Sequence, residues 1–479
     1  MRTRLALGVL GALLAAGCAQ VPLPEAAPPA AAPPAATPPA AIPPAHFAEI
    51  PPGWAEAAPA DAAPRGAWWH AFADPALDDL ETRAAAASPT LAAALARRDE
   101  ARAVLGQAAA AEVPEIDANA SAARNRVSQS RPLSQGNAAT YNDFRLGAQL
   151  SYEIDLWGRV RNAVRAARAE SAASEADLAA ARLSLQAAVA DAYARLRGLD
   201  AEADLLERSV VAYATALDLT RRRHDGGVAS GLDENRARTV LGNARAQVAD
   251  VASRRAATEH EIAALVGEAA GAFHIAPLAH VPQAPSVPVG TPATLVQRRP
   301  DIAAAERRVA EANARVGVAR AALFPTITLG LAGGYETTGG SLLSAPNTTW
   351  ALGPLGLSLP LFDGGRRRAG VRLSRAQYDE VVANYRGSVL TAFREVEDAL
   401  AAARDLAREA EAQKTAAQAA EATSRLSFTR YREGAANYFE VVTAQTDALN
   451  AQRALLAVET RRAQASVAIV RALGGPVTG

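Results

Sequence analysis

The side chains able to carry chemistry are few and scattered. The six histidines, His46, His70, His224, His260, His274 and His280, show no spacing that would place two of them on one metal ion. The single cysteine, Cys18, excludes a disulfide framework and a cysteine-based metal site. There is no glycine-rich phosphate loop and no strained serine turn of the nucleophile-elbow type. Glu395 and Glu397 are the residue types of a general acid–base pair, but they fall in a charged helical segment where solvated carboxylates are expected. The sequence therefore names no catalytic residue, no cofactor-binding residue and no metal ligand. Any ATP or proton coupling has to come from a partner.

Covalent chemistry fits one position. Arg2 and Arg4 precede an apolar run, Leu5 to Ala16, that is too short to span the roughly 30 Å hydrocarbon core as a helix. The run ends in Leu14-Ala15-Ala16-Gly17-Cys18. Small residues ahead of a cysteine resemble a lipoprotein signal, in which the cysteine is acylated and becomes the mature N-terminus. Ala15 departs from that pattern, which usually has Leu there, and an ordinary signal peptide with an incidental cysteine is the other reading. Residues 1–17 are accordingly expected to be a signal peptide and Cys18 a lipidation site. Ala19 follows, not the Asp that favours inner-membrane retention in enteric bacteria, which points to the outer membrane. Residues 18–64 are mostly Pro and Ala, with Pro28-Pro29, Pro33-Pro34, Pro38-Pro39 and Pro43-Pro44, and predict an extended tether at about 3.1 Å per residue.

The elements that must position anything else are duplicated. Ser88-Pro89-Thr90-Leu91 matches Arg299-Pro300-Asp301-Ile302, and Val113-Pro114-Glu115-Ile116 matches Phe324-Pro325-Thr326-Ile327, both 211 residues later. Further along, Gly158-Arg159 matches Gly365-Arg366, Arg223 matches Arg430 and Gly227 matches Gly434, all at an offset of 207. The lost four residues lie in a hairpin. The expected organisation is a first helix–hairpin–helix repeat over 65–268, a linker over 269–298 and a second repeat over 299–475.

Each repeat opens with an Ala/Arg/Glu-rich helix, 89–112 and 300–323, stopped by Pro114 or Pro325. The period then changes from 3.6 to 2. Ile116, Ala118, Ala120 and Ala122 alternate with Glu115, Asp117, Asn119 and Ser121. The run from Phe144 to Leu156 alternates likewise, as do Ile327, Leu329 and Leu331, and then Leu355, Leu357, Leu359 and Leu361. A half-buried soluble sheet gives such alternation. Here the strands are long and one face is charged, as in strands with lipid outside and water inside, and Tyr152, Tyr335 and Trp350 are candidates for the membrane interface. After each hairpin comes a proline-free helix, roughly 159–224 and 366–432, each about 100 Å long at 1.5 Å per residue. A turn and a return helix follow, about 232–266 and 439–472. Two repeats supply four strands, too few to close a barrel, and open edges are not tolerated in lipid. Three copies supply twelve. The net charge of zero argues against nucleic acid as a partner.

Tyr152-Glu153-Ile154-Asp155-Leu156-Trp157-Gly158-Arg159, Arg299-Pro300-Asp301-Ile302, Ala321-Ala322-Leu323-Phe324-Pro325 and Leu361-Phe362-Asp363-Gly364-Gly365-Arg366 resemble the TolC-like outer membrane efflux factors. Within that family the chain resembles the branch of lipoprotein channels that serve resistance-nodulation-division pumps. The resemblance implies a mostly α fold with a transmembrane β part: a homotrimer whose 12-strand β-barrel in the outer membrane continues into a 12-helix periplasmic α-barrel. It implies a passive exit duct for small molecules, fed by an inner-membrane resistance-nodulation-division transporter through a periplasmic adaptor, with no cofactor. The turns at Gly227 and Gly434, capped helix ends by residue type, become the periplasmic tip that meets the adaptor. A channel constriction is implied at Phe439, Glu440 and Thr443, with Tyr431 across the turn. Thr443 departs from the family, which usually has Asp there, leaving Glu440 as a single acidic ring that would favour cations. Ordinary helix packing for Phe439 and solvation for Glu440 are the plain alternatives. The rival functions are a periplasm-spanning coiled-coil lipoprotein without a pore, and an exit channel for protein secretion or metal export.

Overall fold

Short-range sequence signals set most element boundaries in the computed structural model, which describes residues 66–130, 138–283, 285 and 298–475. The expected signal peptide, Cys18 and the tether over 18–64 lie outside the described residues. A 3-10 turn, Trp68–Phe72, leads into α1 (Pro75–Ala87) and α2 (Pro89–Ala110). Strands β1 (Glu115–Val127) and β2 (Ala139–Glu153) form the first hairpin, followed by the long helix α3 (Arg159–Asp225) and the return helix α4 (Gly231–Leu265). The second repeat gives α5 (Pro300–Ala321), β3 (Thr326–Thr337), β4 (Thr348–Ser358), α6 (Arg366–Arg432) and α7 (Tyr438–Ala472). The long helices have 67 residues each and the return helices 35 each. None of the described helices is long and apolar enough to cross a membrane.

Contacts divide the chain across the repeats. One compact unit is built from Arg98–Ser174 and Ala305–Tyr385 and holds both hairpins; the other contains Glu175–Ala304 and the residues from Arg386 onward, with both turns and both return helices. Each unit therefore draws on both copies of the duplication.

In the first unit the strands form one antiparallel sheet in the order β1-β2-β3-β4, and β1 and β4 have no strand partner on their outer edges among the described residues. The register aligns Ile116, Leu150, Leu331 and Leu352 across all four strands, and Ala120, Leu146, Tyr335 and Thr348 four residues away on the same face. The opposite face collects Asp117, Gln149, Ser121, Arg145 and Glu336, and Arg145 bridges Asp143 and Glu336 at 3.0 and 3.1 Å. A bulge sets Leu329 against Leu355 but Leu331 against Leu352, so Gly353 and Pro354 lie opposite Gly330. Trp350 and Leu352 thus share a face with Leu355 and Leu357 although the spacing across the bulge is odd. β4 ends at Ser358, so Leu359 and Leu361 fall beyond the strand they were expected to extend. β2 stops at Glu153 because Asp155 turns to cap α3, its carboxylate accepting from the Arg161 amide at 2.9 Å. Arg159 grips Glu153 through two bonds of 2.7 and 2.6 Å, and the Trp157 indole donates to the Pro325 carbonyl at 2.7 Å while stacking on Phe324. The aromatic and charged motifs beside the hairpins therefore clamp strand ends to helix ends.

In the second unit the return helices end against the next helical start. A Cβ on Gly267 would collide with the Ala87 carbonyl, and one on Gly474, its repeat equivalent, would lie 2.9 Å from the Arg299 Cα. Buried Arg299 donates to Glu395 at 2.7 Å and to the Ala472 carbonyl at the end of α7 at 3.1 Å. Glu395 was expected on a solvated face; it is instead the ion-pair partner of a buried guanidinium. The start of the linker is sewn to α3 and α4. Ile275 donates to Glu259 at 2.6 Å, Arg197 donates to the Ala276 carbonyl at 2.8 Å, and Leu278 donates to Asp200 at 3.1 Å.

Candidate functional site

The two turns are built alike, as the duplication requires. At the first, the Gly227 amide reaches the His224 carbonyl and the Val228 amide reaches Arg223, both at 2.8 Å; Gly227 has φ 75°. At the second, Gly434 bonds Tyr431 at 3.0 Å and Ala435 bonds Arg430 at 2.8 Å, with Gly434 at φ 85°. This is the glycine-terminated helix end in which nested bonds satisfy the last carbonyls, and a Cβ would be strained at that φ. The next helices start on side-chain caps: Ser230 accepts from the Asp233 amide and Asn437 from the Glu440 amide at 3.0 Å.

Tyr431 ties the two turns together from inside. Arg223 donates to its carbonyl at 2.6 Å and stacks over its ring at 4.6 Å. Thr220 spends its proton on the Ala216 carbonyl at 2.8 Å, so the Tyr431 hydroxyl, 3.1 Å from the Thr220 oxygen, is the donor of that pair. Tyr431 meets Tyr438 edge to face, and both pack in an apolar cluster with Ala216, Ala237 and Val441. Burial pushes the Tyr438 phenol up to about 12, so it is a neutral packing group.

Of the expected constriction residues, Phe439, Glu440 and Thr443 lie together on the exposed face of α7, whereas Tyr431 is on the buried side. Tyr438, Val441, Ala444 and Gln445 turn inward, so the helix separates the two sets by its own period. Phe439 is 57% exposed, a large apolar ring held in water. Arg430 approaches Glu440 at 3.9 Å. Two residues that the sequence reading did not single out join this surface. Asp447 is exposed one turn beyond Thr443. Arg236, on α4, sets its guanidinium 5.5 Å from the Phe439 ring centroid and 3.9 Å from Asp233. The signal for Arg236 was present: the 207-residue offset maps Thr443 onto it. Among the described residues, no group of three or more His, Cys, Asp or Glu is placed to hold a metal ion. Cys18 lies outside the described residues.

Residues 80–268 and 291–475 match the family described as outer membrane efflux protein. Outer membrane protein OprJ of Pseudomonas aeruginosa is 36% identical over 74% of this chain and 75% of its own. The pyoverdine export outer membrane protein OpmQ of Pseudomonas putida is 33% identical over 89% of this chain and 92% of its own. Among solved structures, the outer membrane protein VceC from Vibrio cholerae superposes with a TM-score of 0.79 at 30% identity, covering 86% of this chain and 99% of that one.

Proposed function

The chain belongs to the outer membrane efflux protein family, and from that premise we propose that three copies close one duct whose periplasmic end narrows at Phe439 and Glu440. The protein is the outer membrane channel of an efflux system in a Gram-negative bacterium and is not an enzyme. The observation that carries the trimer is the sheet. Four strands with two open edges and one continuous apolar face cannot lie alone in hydrocarbon, where each unpaired backbone group costs several kcal/mol. Pairing β4 of one copy with β1 of the next removes every edge, and twelve strands leave the polar face around water. The apolar face then meets lipid and the Arg145–Glu336 face lines the lumen.

The turns at Gly227 and Gly434 form the tip that meets a periplasmic adaptor, and an inner-membrane resistance-nodulation-division transporter supplies the cargo. The cargo is a small organic molecule; the relative OpmQ is named for the export of pyoverdine. Cys18 carries the lipid anchor. The supporting observation at the tip is Phe439, an exposed ring on the face that also presents Glu440, Thr443 and Asp447. Three such rings brought together on a threefold axis would bury each other and narrow the tube. The test is the protein mass of the detergent-extracted complex, with single-channel conductance of wild type and Phe439→Ala in planar bilayers. A trimer whose conductance rises on Phe439→Ala is expected. A folded, membrane-bound monomer would overturn the duct, and a trimer indifferent to Phe439→Ala would overturn the constriction.

A further inference from the structure

The second return helix cannot define the constriction alone, because a cation from the first repeat lies on it. Arg236 of α4 reaches the exposed Phe439 of α7, with its guanidinium carbon 5.5 Å from the ring centroid. Its neighbour Ala237 is fully buried in the cluster with Tyr431, Tyr438 and Val441, which fixes α4 against α7 at this level. Arg236 is thus anchored by its own backbone while its head group stays partly exposed beside Asp233. A cation over a ring face is attracted by the ring's quadrupole, so the contact favours one orientation of Phe439. By the 207-residue duplication Arg236 is the counterpart of Thr443. The position that is neutral in the second repeat is therefore cationic in the first. Together with Arg430, 3.9 Å from Glu440, it sets positive charge among the acids Asp233, Glu440 and Asp447.

We propose that Arg236 is a positioning and selectivity residue of the tip: it seats the Phe439 ring that narrows the duct and makes the surrounding charge mixed in sign instead of acidic. This rests on the reading of Phe439 as the constriction. Opening the tip then requires the Arg236–Phe439 contact to part as α4 and α7 separate, and permeating anions meet a cation at the narrowest level.

The test is a set of full-length channels in planar bilayers: wild type, Phe439→Ala, Arg236→Ala, Arg236→Lys and the double variant Arg236→Ala/Phe439→Ala. Retention of the detergent-extracted complex at its wild-type mass and helix content admits each variant. We expect Arg236→Ala to raise conductance toward the Phe439→Ala value and to add nothing in the double variant. We also expect it to move the reversal potential in a salt gradient toward the cation limit. Arg236→Lys, which keeps the charge, should hold the wild-type reversal potential and restore part of the closure. A purely structural role would not move the reversal potential. The inference is overturned if Phe439→Ala opens the channel while Arg236→Ala leaves conductance and reversal potential at wild-type values. It is equally overturned if the two effects add fully. If Phe439→Ala itself changes nothing, the constriction reading fails first, and that result is distinct from the other two.

Discussion

Glu81 is a carboxyl in the wrong place for a charge. It lies on the buried stripe of α1 with Leu77, Leu80 and Ala84, is 1% exposed, and neither carboxyl oxygen meets a hydrogen-bond partner among the described residues. Burial, and secondarily the charge of Asp78, pushes its pKa up to about 9 from the usual 4.5. The sign follows from proton counting. Between those two values the folded state keeps a proton that the opened state releases, so stability is full below about pH 4.5 and falls as pH rises toward 9. One bound proton corresponds to roughly a tenfold change per pH unit, so raising the pH from 6 to 8 should weaken the closed state of α1 by about 3 kcal/mol, on the order of 100-fold. The perturbation is Glu81→Gln, which keeps the shape and cannot ionise. The assay is amide hydrogen exchange of α1 in the full-length detergent-solubilised protein, expressed as protection factors so that base catalysis cancels. Wild type should lose about tenfold in protection per pH unit across that window, and Glu81→Gln should stay flat. Parallel pH profiles for the two proteins would refute the argument that Glu81 is held neutral in the fold.

Gly474→Ala forces a Cβ to 2.9 Å from the Arg299 backbone at a φ of 80°, and should destabilise the end of α7 by about 1–3 kcal/mol, seen as early loss of its exchange protection. Leu352→Arg puts a cation on the apolar sheet face, and should cost about 2–4 kcal/mol in a bilayer and lower the yield of outer-membrane complex, whereas Gln149→Arg on the opposite face should be tolerated. Arg299→Ala leaves Glu395 facing a partly buried site without its partner, so the double variant Arg299→Ala/Glu395→Ala should melt above the single one. Glu440→Ala should lower cation preference in a bilayer recording; unchanged ion selectivity would remove Glu440 from the pore lining.

Much of the chain's architecture is legible in one dimension because it is written in short-range signals. Pro89 and Pro300 open helices, Pro114 and Pro325 prevent continuation, and Gly227 and Gly434 end the long helices, so the observed spans fall within a few residues of those read from the sequence. The strand faces followed from a period of two until Gly353-Pro354, where an inserted residue reset the parity of β4. Alternation cannot reveal a bulge, because the partner strand decides which residue is left over.

The candidate site was half legible. Exposure of Phe439, Glu440 and Thr443 on one face is a consequence of helical period acting on a sequence in which Tyr438, Val441 and Ala444 are the packing residues. The sequence by itself thus determined the elements, the duplication and the four strands of the sheet, since each depends on residues within a turn or two, or on a copy at fixed offset. Tertiary structure alone decided that Tyr431 turns inward onto Thr220, that Glu395 answers a guanidinium 96 residues away, that Glu81 is shut from water, and that Arg236 lies over Phe439. Those outcomes depend on which helix faces meet across long stretches of chain, and a side chain's charge state and contacts are set by whichever neighbours that packing brings.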